Sequence, residues 1–249
     1  MHVKTMKITQ RGSVLITVLV MLILLTLVGT WAIKGSLTSL NISTNAQAKS
    51  LLMQTSDSVF YSLENYTKDD LKFTQMQIGD GLINFVDRPE NTNKEIVFCI
   101  RGETADNFAG LRQSSLIYWS GTQIKNTDLG TNGYCQTDRS TDYLSGRKAV
   151  LTQVAIRSTA TERDFDHMVE GTNQDEKADR IPTITVTATS ILPNLSSADR
   201  NEINKCLTNY TSFVDTQVNN QTVTDCLGAL GVPYSTQDMQ YQLRSVKTS

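Results

Sequence analysis

Two hydrophobic rhythms divide the N-terminal third of the chain. Residues 13–33 (SVLITVLVMLILLTLVGTWAI) form an unbroken run of 21 residues with no charge and no proline. A helix of that length rises roughly 31 Å, the thickness of the hydrocarbon core of a bilayer. Beyond it the rhythm changes. Leu37, Leu40, Thr44, Ala48, Leu51, Leu52, Thr55, Val59, Leu63 and Tyr66 recur mostly at steps of three and four, while Lys49, Gln54, Asp57 and Glu64 fall on the other side. That is one face of an α-helix, and no glycine or proline interrupts residues 37–66. The pattern predicts one helix from 13 to about 66, roughly 80 Å long. Its first half is apolar all round, and its amphipathic second half needs a surface to cover it.

From residue 95 the period shortens to that of strands. Four segments are rich in β-branched and aromatic residues or alternate cleanly: 95–101 (EIVFCIR), 115–120 (SLIYWS), 148–158 (KAVLTQVAIRS) and 182–191 (PTITVTATSI). In the last, Ile184, Val186 and Ala188 share one face and Thr183, Thr185, Thr187 and Thr189 the other, as in a half-buried antiparallel strand. The apolar face is expected to pack on the helix. Residues 66–93 read as a connector, with Gly79-Asp80-Gly81 turning the chain before a short strand at 82–86.

After Pro193 the pattern turns helical again. Residues 197–209 suggest a short helix capped by Ser196 or Ser197, and Thr222-Val223-Thr224-Asp225 reads as a capping box before a turn ending ahead of Gly231 and Pro233. Residues 193–233 form a candidate helical appendage beyond the sheet, either a contact surface or a cover for a sheet edge. The polar tail 234–249 is expected to be loosely held. The domain plan is therefore 1–12 leader, 13–34 apolar helix, 35–66 amphipathic continuation, 67–193 antiparallel sheet, and 194–249 appendage and tail.

Composition refines this picture. The chain of 249 residues has a net charge of −2, and residues 1–12 hold Lys4, Lys7 and Arg11 without an acid, so the remainder is near −5. Direct nucleic-acid binding is not expected from such a balance. All four cysteines, Cys99, Cys135, Cys206 and Cys226, follow the apolar run, and none stands in a CxxC pair. Two disulfides are the natural reading for an exported segment. Of the three possible connectivities, proximity in sequence favours Cys99–Cys135 and Cys206–Cys226, each closing a loop worth roughly 3 kcal/mol.

The N-terminus is not built as a secretory signal. The apolar run is too long, and no A-x-A cleavage pattern follows it. The small residue, Gly12, instead precedes the run, beside Arg11. The basic leader should stay in the cytoplasm, with the C-terminal part outside.

The stretch QRGSVLITVLVMLILLTLVGTWAIKGS (residues 10–36) resembles the N-terminus of type IV pilins, and most closely the PilX family of minor pilins. The likeness rests on Gln10-Arg11-Gly12 before the run, on LTLVGTWAIK at its end, and on Asn45, Leu51, Leu52, Gln54 and Asp57 beyond. It covers about 50 of the 249 residues. The resemblance implies an α+β fold: a pilin-like long N-terminal helix, membrane-spanning in its first half, laid on an antiparallel sheet. It implies cleavage between Gly12 and Ser13 by a prepilin peptidase, followed by N-methylation of Ser13. The helix would then leave the inner membrane and pack in the core of a filament. Implied partners are the peptidase, other minor pilins, the major pilin and a large tip adhesin.

One position departs from the pilin pattern. Most pilins carry glutamate at the fifth residue after the cut, where it is thought to pair with the N-terminal ammonium of the subunit ahead. Here that residue is Thr17. A lone carboxylate in an apolar setting demands a partner, and threonine does not. This departure suggests a place at or near the filament tip, in a complex that starts assembly and supports twitching, adhesion or DNA uptake.

No catalytic residues, metal ligands or cofactor site are expected. His2 and His167 are the only histidines, and GxSxG, HExxH, P-loop and GxGxxG motifs are missing. The acidic segment 159–180 lacks the ligand spacing of a calcium loop and reads as solvated surface. Tyr118-Trp119 and Phe213 form a candidate adhesive patch, although aromatics in strands are more often core. Two other readings compete: a minor pseudopilin of a type II secretion system, and a membrane-anchored exported enzyme or sensor, which would keep residues 1–12.

Overall fold

A computed structural model describes residues 13–102, 106–108, 110–159, 183–215 and 218–242. Gly12 and the leader, the acidic segment with His167, and the end of the tail lie outside the described residues. The architecture is α+β. Helix α1 runs Ser13–Thr67, as the absence of glycine and proline between 37 and 66 predicts. The chain divides into two compact units, 1–47 and 48–249.

In the second unit, α1 is followed by α2 (Asp70–Gln77) and α3 (Leu82–Val86). Asp69 caps α2 by accepting hydrogen bonds from the Leu71 and Lys72 amides. Gly79 reverses the chain at a φ of 56°, and a Cβ on Gly81 would lie 2.3 Å from the Gln75 carbonyl oxygen, so only glycine fits that corner. The short strand expected at 82–86 is instead α3. Leu82, Ile83 and Val86 are the buried positions, a spacing of one and three that matches a helical turn and not the strand period of two.

Strands β1 (Glu95–Cys99), β2 (Ser115–Ser120), β3 (Gln123–Lys125), β4 (Leu151–Thr159), β5 (Thr183–Ile191) and β6 (Tyr234–Gln242) form one sheet in the order β3-β2-β1-β4-β5-β6. Every neighbouring pair is antiparallel. β6 corrects the expectation of a loose tail. All nine of its residues pair with β5, from Tyr234 opposite Ile191 to Gln242 opposite Thr183. The sheet therefore draws a strand from the region assigned to appendage and tail.

One face of the sheet receives α1. Ile96, Phe98, Val154, Ile156, Ile184, Val186 and Ala188 pack with Val59, Phe60, Leu63 and Tyr66, and α2 and α3 close the margin with Met76, Leu82, Ile83 and Val86. A row of hydroxyls crosses this apolar layer. Ser56 shares a 2.9 Å hydrogen bond with Ser190, which shares another of 2.8 Å with Thr152, and all three are fully buried.

The opposite face is also covered. Helices α4 (Arg200–Asn209) and α5 (Val223–Ala229) bring Ile203, Leu207, Val223 and Leu227 onto Leu151 and Ile191. Tyr134 fills the space against Val97, Ile117 and Ala155. The appendage thus lies on the sheet as a third layer, not beyond it, and β5 is buried on both faces instead of one. Asp199 caps α4 in place of Ser196 or Ser197, because the helix starts three residues later than the sequence suggests. The capping box on α5 is present: Thr222 and Asp225 bond each other's amides.

Candidate functional site

Three places were singled out by the sequence: the start of α1, the cysteines, and the aromatic and appendage surfaces. At the start of α1, the large apolar side chains from Val14 to Trp31 all face outward, with exposures from 49% at Val20 to 81% at Trp31. A helix with no polar face is built for an apolar surrounding, and this one is long and apolar enough to span a membrane. The hydroxyls of Thr17, Thr26 and Thr30 are satisfied within the helix. Thr17 donates to the Val14 carbonyl at 2.9 Å, Thr26 to Ile23 and Thr30 to Leu27, both at 2.8 Å. Hydroxyls bonded in this way carry no unmet polar demand into lipid or a protein core. Ser13 is the first of the described residues in α1.

The cysteines form two disulfides, Cys99–Cys135 and Cys206–Cys226, with Cα atoms 4.9 and 5.6 Å apart. The first ties the end of β1 to the loop before β4. That loop is pinned further by Asp142, which is fully buried and accepts from Arg101 Nε at 2.7 Å and from the Gln136 amide at 3.0 Å. Gln153 of β4 joins the same loop to the appendage: its Oε1 accepts from the Cys135 amide, and its Nε2 donates to the Leu207 carbonyl. The second disulfide links α4 to α5 directly. The two helices and the loop before β4 are thus fastened to one face of the sheet.

Tyr118 and Phe213 lie on opposite faces of the sheet. Tyr118 packs against the α1 side of the sheet, with Lys94 Nζ 4.9 Å from its ring centre and its hydroxyl donating to Asp128 at 2.7 Å. Phe213 lies on the appendage side under the Arg157 guanidinium, 4.6 Å from the ring centre. Each ring is used to hold a loop.

Sequence reasoning missed Glu95, the first residue of β1, which is 1% exposed. Its carboxylate accepts from the Ser212 amide at 2.9 Å and from the Ser212 hydroxyl. Burial pushes its pKa above the ordinary value, against the pull of Ser212 and the nearby Arg157. The only signal was an acid at the head of an apolar strand, which gives no hint of a partner 117 positions away. The Ser212 amide and hydroxyl both donate to Glu95, and the pair acts as a clasp between sheet and loop. Tyr66 makes a comparable tie: its hydroxyl donates to Asp106 at 3.0 Å, and burial, then Asp106, push its pKa up to about 12.

Comparison with protein-family models, with curated proteins and with solved structures returned no match for this chain.

Proposed function

We propose that the chain is a minor pilin of a type IV pilus, similar to the PilX family, that helps to start filament assembly at or near the tip. The observation that carries this reading is the order of three features along one segment. Gln10-Arg11-Gly12 stands before a 21-residue uncharged run, and that run continues without interruption into an amphipathic stretch. The amphipathic residues Val59, Phe60 and Leu63 lie on an antiparallel sheet, an architecture in keeping with the reading.

On this reading the helix serves twice. It first anchors the chain in the inner membrane, leader inward and disulfide-bonded domain outward. A peptidase then cuts after Gly12, the new N-terminus on Ser13 is methylated, and the same apolar surface packs against neighbouring pilins. Thr17 satisfies its hydroxyl within its own helix and asks nothing of a subunit ahead. A first subunit, with no subunit ahead of it, has that requirement.

Intact mass of the chain from cells with and without the peptidase tests the reading. The expected product begins at Ser13, is heavier by one methyl group, and is lost without the peptidase. A chain that begins at Met1 in both strains would leave a plain membrane anchor and overturn the proposal.

A further inference from the structure

The two edges of the sheet are unlike. At one end, β3 has three residues and carries Lys125, a short and charged edge of the kind that resists further pairing. At the other end, β6 has nine residues, with neither lysine nor proline among them. Its described pairing is with β5, and Asp238, Met239 and Gln240 in its middle are exposed. In an antiparallel ladder about half of an edge strand's amides and carbonyls point away from the sheet. β6 therefore offers a ready template for one more strand.

Beside this edge runs an open groove of about 490 Å³ between β6 and the part of α1 within the same unit. Phe60, which is buried, and the exposed Met239 and Tyr61 supply its apolar lining. The carboxylates of Asp57 and Glu64, two helical turns apart, line the helix side, and both residues are exposed. Asp238 adds an acid to the strand itself, opposite Thr187 and so on the face of the sheet away from α1. Among the described residues, no lysine or arginine lines the groove.

We propose that the β6 edge and this groove take an extended segment of another protein as a seventh strand, one with lysine or arginine side chains on the side facing α1. Main-chain hydrogen bonds to β6 would hold the strand, and alternate side chains would enter the groove. The charge selects against a second copy of this chain. Pairing two β6 edges antiparallel, about an axis normal to the sheet, would put both copies' Asp57 and Glu64 on the same face across the seam. The proposal concerns the outer unit alone and does not depend on the processing of the N-terminus.

The probe is a fluorescent nine-residue peptide alternating lysine with valine and threonine, titrated by anisotropy onto the full chain in non-ionic detergent. Two control peptides have glutamate in place of lysine, or N-methylated backbone nitrogens. The lysine peptide is expected to bind, with each control weaker by roughly tenfold or more, and to weaken with added salt. Exchanging Asp57→Lys with Glu64→Lys on the protein should reverse the preference between the lysine and glutamate peptides. Equal binding of the N-methylated peptide would mean charge adsorption without strand addition, and would overturn the proposal. So would indifference to the charge exchange, or no binding at about 1 mM, the weak end of specific recognition. Self-association through β6, blocked by Met239→Pro and not displaced by the lysine peptide, would assign the edge to a second copy and also overturn it.

Discussion

At the scale of single residues, Glu95 shows how a charged side chain can be kept in a sheet interior. The carboxylate is out of water, and Ser212 supplies both the amide and the hydroxyl that take the place of lost hydration. Because burial raises its pKa above the ordinary 4.5, the folded state holds this proton more tightly than the unfolded chain. Between the ordinary value and the raised one the folded state binds more protons, so stability from this group falls as pH rises through that window. Glu95→Gln cannot ionise. The difference in melting temperature between wild type and variant, followed by circular dichroism across that window, is expected to change with pH. It should shift in the variant's favour as pH rises. A difference that stays constant would show that Glu95 does not change its proton binding on folding. None of this was legible in the sequence, where Glu95 and Ser212 are far apart and of common types. Thr17 is the opposite case: under the proposed function its meaning depends only on its place after Gly12, which is visible along the chain.

At the scale of elements, legibility followed how completely an element's own residues carry its pattern. β2 was found at its observed bounds, and β1, β4 and β5 within three residues at either end, because alternation and β-branched residues mark them. β6 was not found. Its sequence, YSTQDMQYQ, is polar, and it is a strand because β5 offers it a full-length partner. The LINFV segment misled for a related reason: a short apolar run fits either period, and packing against α2, β1 and β4 decided for a helix. The Thr face of β5 read as solvent-facing because nothing local shows that α4, α5 and the 126–143 loop would cover that side of the sheet. The amphipathic face of α1 was legible, and its energetic weight can be tested. Leu63 is 3% exposed in the main core, whereas Met53, on the same helix, is 44% exposed. Leu63→Ala is expected to cost about 2–5 kcal/mol in denaturant unfolding, through lost burial and the cavity left behind. Met53→Ala should stay within about 0.5 kcal/mol. Equal costs would mean that the α1 face is not seated on the sheet. The buried row Ser56–Ser190–Thr152 adds register to this packing, since a slide of the helix would leave hydroxyls unpaired in an apolar layer.

At the scale of the whole molecule, one segment must suit two surroundings in turn under the proposed function, and Thr17 decides how it can do so. A glutamate at this position would enter the apolar layer with a charge. Without a partner that costs on the order of 3 kcal/mol near the membrane centre and less towards its edge. In a filament the cost is met only by a positive group on the subunit ahead, so a glutamate-bearing subunit is favoured within the shaft and disfavoured at its very end. Threonine, with its hydroxyl returned to Val14, is indifferent to what lies ahead. The proposed tip position then makes a directional prediction. Immunogold label against the wild-type chain should collect at filament ends. Thr17→Glu, expressed at the same level, should move part of that label along the shaft, because the new carboxylate gives the subunit a reason to follow another. If wild-type label is spread evenly from the start, the chain is a shaft component and the tip assignment falls. If label stays at the ends in the variant as well, the position is set elsewhere. The disulfide-fastened outer layer would then be the next surface to alter, since α4 and α5 carry it and neither belongs to the filament core.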